Sequence, residues 1–328
     1  MKIIEKYANR IEKGLQDIPF KKKPASLYDP CRYVLHNGGK RIRPIFTLLG
    51  AGICGGSIDR AMSAALAIEM VHNFTLVHDD IMDRADSRRG NPTIHVKWNE
   101  ATAILTGDEL FVQACRLLSG YLSDSSISNN QFKKLYDTFF NSIQTVCEGQ
   151  ALDMEFEQRE KVNTQDYLEM IRDKTATLIS ASLCMGGITA GANEQQIRLL
   201  KNIGLSTGLA FQIQDDLLDV VADPEKFGKS KGGDIGKGKK TFLTLHALEK
   251  SNETEKDHLV EILKSKSVTD DELDLVIQLY HKYGIIDSAS DKMNFYYQSA
   301  INSLNKFGDS KYKQDLFELL NFLKKREY

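Results

Sequence analysis

Two acidic clusters of identical spacing constrain this chain more than any other feature. Asp79-Asp80-Ile81-Met82-Asp83 and Asp215-Asp216-Leu217-Leu218-Asp219 each lie in apolar sequence of helical character. Residues four apart share a helix face, so Asp79 and Asp83 point the same way, as do Asp215 and Asp219. Carboxylates at that spacing repel each other and disfavour the helix unless a cation stands between them. Two such faces opposed across a cavity would hold hard divalent ions. Mg²⁺ suits them best, because it accepts a few carboxylates and fills its other positions with water and substrate phosphates. One acidic run alone is ordinarily a solvated helix face. Two copies embedded in apolar sequence argue against that reading.

Proline placement points to helices. The six prolines are Pro19, Pro24, Pro30, Pro44, Pro92 and Pro224, with none between the last two. Proline is the strongest helix breaker, so this gap permits long helices. The apolar pattern supports them: Ala61–Met82 is apolar on most sides, as a central buried helix should be, and Ile203–Val221 reads the same way up to Asp223-Pro224. Thr269-x-x-Glu272 is a capping-box candidate ahead of a periodic stretch. Period-two β-branched alternation is scarce, and no linker or low-complexity tract interrupts the chain. The expected fold is a single all-α domain over residues 1–328, a bundle of many helices.

Lys and Arg total 43 against 45 Asp and Glu, a balance that gives no reason to expect nucleic acid or an anionic membrane as partner. The cysteines at 31, 54, 115, 147 and 184 are scattered without a Cys-x-x-Cys pair, which reads as free thiols in a reducing cytoplasm. The charged N-terminal segment has no signal-peptide core, and no apolar run reaches the roughly 18 residues of a membrane span.

Positive charge gathers at three glycine-containing stretches: Gly38-Gly39-Lys40-Arg41-Ile42-Arg43-Pro44, Arg88-Arg89-Gly90, and the lysine-rich run from Lys229 to Lys240. Glycine lets backbone approach a ligand, and Lys and Arg donate to phosphate oxygens. Each stretch alone reads equally well as a solvated basic loop. Beside carboxylates that cannot bind phosphate directly, they suggest a metal-bridged diphosphate, and two diphosphates in all.

With these motifs in their order, GGKRIRP, HDDIMD followed by RRG, GQALD, RDKTA, FQIQDDLLD and GKSKGGDIGKGKKT, the chain resembles the trans-isoprenyl diphosphate synthases, or polyprenyl synthetases, over most of its length. The resemblance implies an all-α isoprenoid-synthase bundle around a deep cavity, usually a homodimer. It implies a prenyltransferase that joins isopentenyl diphosphate to an allylic diphosphate (dimethylallyl, geranyl or farnesyl). By the same resemblance, Asp79, Asp83 and Asp215 bind Mg²⁺ directly, several ions in all and three with substrate bound. Asp80, Asp216 and Asp219 act through water or from behind the ligands. Arg88, Lys174, Lys239 and Lys229 add charge at the allylic diphosphate. Lys40, Arg43, His72 and Arg89 hold isopentenyl diphosphate without metal, Thr175 and Gln212 turn oxygen dipoles towards the carbocation, and Gln150 and Asp153 support the site.

Product length is expected to depend on the helix before the first cluster. Phe74 lies about 7.5 Å below Asp79 by helix rise, and Thr75 one turn below on nearly the same face. A ring at Phe74 would floor the tunnel, or would simply be core. In the resembling family, long-chain synthases carry a small residue there, and many farnesyl synthases carry a second aromatic next to it or an interrupted cluster. The small Thr75 and uninterrupted DDIMD resemble archaeal-type geranylgeranyl synthases. Geranylgeranyl diphosphate is therefore the expected product, with farnesyl diphosphate next and longer chains or a non-catalytic subunit after it. A terpene cyclase fits poorly, because the second cluster is fully acidic and Lys40 and Arg43 are present. Glu69-x-x-His72 and Glu255-x-x-His258 formally match a di-iron pattern. Trp98 reads as core, and His36, His95, His246 and His281 show no evident partners.

Overall fold

The computed structural model describes residues 2–221, 232–265 and 268–325. In chain order these form α1 (Lys2–Gln16), α2 (Ala25–His36), α3 (Ile42–Ile53), α4 (Met62–Met82), a ribbon of β1 (Ser87–Arg88) and β2 (Asn91–Pro92), and α5 (Ile94–Lys97). There follow α6 (Glu100–Ser119), α7 (Asn129–Gln158), α8 (Thr164–Ile171), α9 (Thr177–Thr189), α10 (Glu194–Val221) and α11 (Gly233–Gly236). The last are α12 (Phe242–Lys250), α13 (Glu253–Ser265), α14 (Asp270–Lys282), α15 (Ile285–Leu304) and α16 (Lys311–Lys324). The all-α expectation holds, and the proline-free stretch contains helices of 30 and 28 residues, α7 and α10.

The described residues fall into two compact units, one drawn from Met1–Ile143, Ala181–Lys201 and Phe307–Leu319, the other from Gln144–Ser180, Asn202–Lys306 and Leu320–Tyr328. No linker in the sequence marks this division. In the first unit α4 is central, packed on α1, α3 and α6. Its run Ala64–Val71 is buried on every side, as its uninterrupted apolar character requires. Glycine brings α3 against the Ala181–Thr189 part of α9: a Cβ on Gly186 would lie 1.9 Å from the Thr47 carbonyl oxygen, and one on Gly50 2.3 Å from that of Leu183.

The second unit packs Tyr167, Met170 and Ile171 of α8 and Ile213, Leu217 and Val220 of α10 with Phe242 and Leu243 of α12, Val276 and Tyr280 of α14, and Ile285 of α15. The buried Tyr280 hydroxyl is satisfied by Thr244 Oγ1 at 2.9 Å. The capping box at α14 is present, with Thr269 and Glu272 bonded reciprocally. Trp98 is not core. It is 37% exposed, beside Tyr33 at 5.2 Å and under the Lys97 ammonium. Nor are all the histidines unpartnered: His36 Nδ1 meets the Arg32 carbonyl at 2.6 Å, and His246 sits with Glu249 and Ser288.

Helix propensity favours Ala over Gly by about 1 kcal/mol. The contact at Gly186 reverses the sign, and Gly186→Ala is expected to destabilise by about 1–3 kcal/mol through overpacking. Gly120→Ala, with nothing within 4 Å of the new Cβ, is the control. Chemical denaturation of both variants checks this, and an unchanged midpoint for Gly186→Ala contradicts it.

Candidate functional site

In the first unit the Arg88-Arg89-Gly90 stretch is a hairpin. Ser87 pairs with Pro92 and Arg88 with Asn91, closed by Arg89 and Gly90 with φ of 54° and 75°. Consecutive left-handed residues match the twist of a two-residue hairpin, and this accounts for the glycine. The hairpin sends its two arginines in different directions. Arg88 Nε and Nη2 donate to Asp80 Oδ1 at 2.7 and 2.6 Å, so the middle aspartate of the first cluster is buried and paired. Arg89 Nη1 donates to the Gly38 carbonyl. Gly39, at φ 133°, leaves the room this needs: a Cβ there would stand 2.8 Å from Arg89 Nη1.

Arg43, in the first turn of α3, donates through Nη1 to His72 Nε2 on α4 at 3.1 Å. Burial, reinforced by Arg43, Arg89, Arg88 and Arg41, holds the His72 pKa well below the ordinary histidine value, so the ring is neutral and accepts. Burial also lowers the Arg43 pKa to about 10, with Glu69 opposing and Arg89 adding to the shift, which leaves it charged at neutral pH. Arg43 Nε is buried without a hydrogen-bond partner. Lys40 is exposed, as is Asp83 at the end of α4, and Asp79 is half-buried. Phe74 is half-buried between His78, with ring centroids 4.9 Å apart, and Phe111 of α6 at 5.6 Å; Phe111 in turn meets Phe140 of α7 at 6.3 Å. Thr75 Oγ1 donates back to the His72 carbonyl at 2.9 Å.

In the second unit, Arg172–Ala176 is a π-helical turn between α8 and α9. Such bulges re-aim side chains and are frequent at functional sites. Its geometry depends on glycine: a Cβ on Gly149 of α7 would lie 2.2 Å from Lys174 N, and one on Gly208 of α10 2.3 Å from Ala176 Cα. The turn gives Lys174 Nζ to Asp153 Oδ2 at 2.5 Å and Thr175 Oγ1 to Gln212 Oε1 at 3.3 Å. Asp216 is buried and accepts from the Tyr167 hydroxyl at 2.7 Å, the Phe242 amide at 3.1 Å and Gln212 Nε2 at 3.4 Å. Burial pushes its pKa up to about 7 against the bonds from Tyr167 and Phe242. Asp219 caps α11, its Oδ2 accepting from Asp234 N at 3.0 Å, while Lys239 pairs with Asp234 at 3.6 Å. Asp215 and Gln150 are half-buried. Lys229 lies outside the described residues.

The structure thus joins Arg43 to His72, Arg88 to Asp80, Lys174 to Asp153 and Thr175 to Gln212. Sequence reasoning missed Tyr167 and Asp234, which hold two aspartates of the second cluster. It also missed Arg41, which turns inward to Glu69 at 2.7 Å. The di-iron pattern dissolves, since Glu69 is taken by Arg41, and Glu255 accepts from Lys282 at 2.6 Å. Among the described residues no group of three or more His, Cys, Asp or Glu side chains is disposed to hold a metal. Acidic residues one turn apart instead fit an ion that keeps most of its positions for water and phosphate oxygen, as Mg²⁺ does.

The family model for polyprenyl synthetase matches residues 24–280. A geranylgeranyl diphosphate synthase of Sulfolobus acidocaldarius is 41% identical over 309 residues, 93% of each chain. A geranylfarnesyl diphosphate synthase of Natronomonas pharaonis is 36% identical, over 93% of this chain and 92% of its own. The crystal structure of geranylgeranyl pyrophosphate synthetase from Pyrococcus horikoshii aligns with a TM-score of 0.91 at 38% identity, covering 99% of this chain and 98% of that one. The geranylgeranyl pyrophosphate synthase of Corynebacterium glutamicum, solved with isoprenyl diphosphate and magnesium, aligns at 0.81 and 26% identity, over 99% and 97%. On this evidence the chain belongs to the polyprenyl synthetase family.

Proposed function

We propose that this protein is a Mg²⁺-dependent prenyltransferase that condenses isopentenyl diphosphate with allylic diphosphates, geranylgeranyl diphosphate being the main product. The observation that carries the reading is the cation cluster of Arg43, Arg88, Arg89 and neutral His72, in the same unit as the acidic residues Asp79 and Asp83. Cations recognise diphosphate directly, and carboxylates recognise it only through a metal. The match over residues 24–280 runs through both units and supports one catalytic domain over residues 1–328. The protein acts as a cytoplasmic homodimer in this reading. No helix among the described residues is long and apolar enough to cross a membrane.

Asp79, Asp83 and Asp215 hold the magnesium ions, three with substrate bound, while Asp80, Asp216 and Asp219 brace the site from behind. The bonds of Asp80 to Arg88 and of Asp216 to Tyr167 support that division. Magnesium, when bound, supplies positive charge to the diphosphate leaving group. Arg88, Lys174, Lys239 and Lys229 bind the allylic diphosphate, with Asp153 orienting Lys174. Lys40, Arg43, His72 and Arg89 bind isopentenyl diphosphate, the unpartnered Nε of Arg43 being a ready donor. The allylic C–O bond breaks with its electron pair leaving on the diphosphate. The isopentenyl double bond attacks the carbocation to form the new C–C bond, and loss of a proton to the released pyrophosphate restores a double bond. Thr175 and Gln212, already bonded to each other, present oxygen dipoles to the cation. Apolar walls exclude water.

Phe74 floors the growing chain, with Thr75 beside it, and the ring contacts of Phe74, Phe111 and Phe140 support a floor built from three helices. The relatives from Sulfolobus acidocaldarius and Pyrococcus horikoshii favour geranylgeranyl diphosphate as product. That from Natronomonas pharaonis makes a longer product the second reading.

The test is incubation with Mg²⁺, isopentenyl diphosphate and each allylic primer in turn, with products identified by mass. Geranylgeranyl diphosphate is expected, and no condensation with any primer overturns the assignment. Asp79→Asn and Asp215→Asn should each lower kcat by about a hundredfold or more, measured at saturating Mg²⁺. Phe74→Ala should shift the product by about one isoprene unit, with Phe111 and Phe140 limiting the gain, and Phe74→Ala/Phe111→Ala should shift it further. An unchanged profile for Phe74→Ala contradicts the floor.

A further inference from the structure

Arg41 lies between two residues assigned to isopentenyl diphosphate, yet it has no access to a ligand. Its backbone is left-handed at φ 50°, ψ 37°, a costly conformation for a residue with a Cβ. Its side chain is wholly buried. Nε donates to Glu12 Oε1 at 2.6 Å, Nη1 to Glu69 Oε1 at 2.7 Å, and Nη2 to the Leu35 carbonyl at 2.5 Å and Glu12 Oε2 at 3.4 Å. One cation thereby ties α1, the end of α2 and α4 to the start of α3. Glu69 is 2% exposed and also accepts from Asn73 Nδ2 at 3.2 Å. It precedes His72 by three residues, so the anchor of Arg41 and the acceptor for Arg43 share one side of α4.

The strained backbone at Arg41 persists because three elements overdetermine it. Its conformation sets the direction in which Lys40 leaves the loop and Arg43 enters α3. Two carboxylates meet one guanidinium here, and the buried Glu69 also attracts Arg43 and Arg89, while Arg41 opposes Arg89. Like charges packed this closely would otherwise oppose each other's presence.

We propose that Glu69, acting through Arg41, is a positioning residue of the isopentenyl diphosphate site, fixing the approach of Lys40 and Arg43 and offsetting the repulsion between Arg43 and Arg89 without touching the ligand. This rests on the assignment of Lys40, Arg43, His72 and Arg89 to isopentenyl diphosphate.

The experiment is steady-state kinetics of Glu69→Gln, with the two substrates varied separately. The expected result is a KM for isopentenyl diphosphate raised about tenfold, with kcat and the KM for geranyl diphosphate within about twofold of wild type. A purely structural role would lower the melting temperature and the active fraction and leave both KM values alone. That result, or a parallel rise in both KM values, overturns the proposal. Should Glu69→Gln fail to fold, Glu12→Gln takes its place, since Glu12 is one-third exposed. It should raise the same KM selectively, and no change in it overturns the proposal. Arg43→Ala separates this inference from its premise: if that variant raises the geranyl diphosphate KM instead, the site assignment has failed rather than the positioning role.

Discussion

Charge carried on apolar helices is the constraint on which the rest of this molecule depends. Removing an ion from water costs several kcal/mol unless it finds a partner. The described structure meets that cost residue by residue. Asp80 is answered by Arg88, Asp216 by Tyr167 and a backbone amide, Lys174 by Asp153, and Glu69 by Arg41. Arg88 comes from the hairpin, Arg41 from the cap of α3 and the Phe242 amide from the start of α12, while Tyr167 and Asp153 come from the helices α8 and α7. Short segments and helices thus share the work of pairing these charges.

Close backbone packing is the second requirement. The π-helical turn that aims Lys174 and Thr175 lies so near α7 and α10 that Gly149 and Gly208 leave no space for a methyl group. In the first unit the Gly39 backbone makes room for the Arg89 guanidinium in the same way. Fixed positions of this kind matter for chemistry in which the protein's role is to place charge where it develops in the transition state.

Much of this was legible in the sequence. The span of α4, the acidic faces, the basic glycine motifs and the capping box at Thr269 follow from periodicity and local chemistry. What was hidden needed three dimensions. Lys40, Arg41 and Arg43 look alike in a linear motif, and the left-handed Arg41 turns inward to Glu69 while Arg43 meets His72 and Lys40 is exposed. Tyr167 carries no sequence signal as the partner of Asp216, 49 residues away. Trp98 misled because a large ring ordinarily signals core. Here it is served by an exposed pairing with Tyr33 and Lys97.

The central claim is a division of labour: carboxylates hold one diphosphate through metal, and arginines, a lysine and a neutral histidine hold the other without it. Calorimetric titration of the wild-type protein with geranyl diphosphate and with isopentenyl diphosphate, each with Mg²⁺ and with a chelator, tests this most directly. The account predicts that chelation abolishes binding of geranyl diphosphate and spares that of isopentenyl diphosphate. Loss of both, or survival of both, would contradict it.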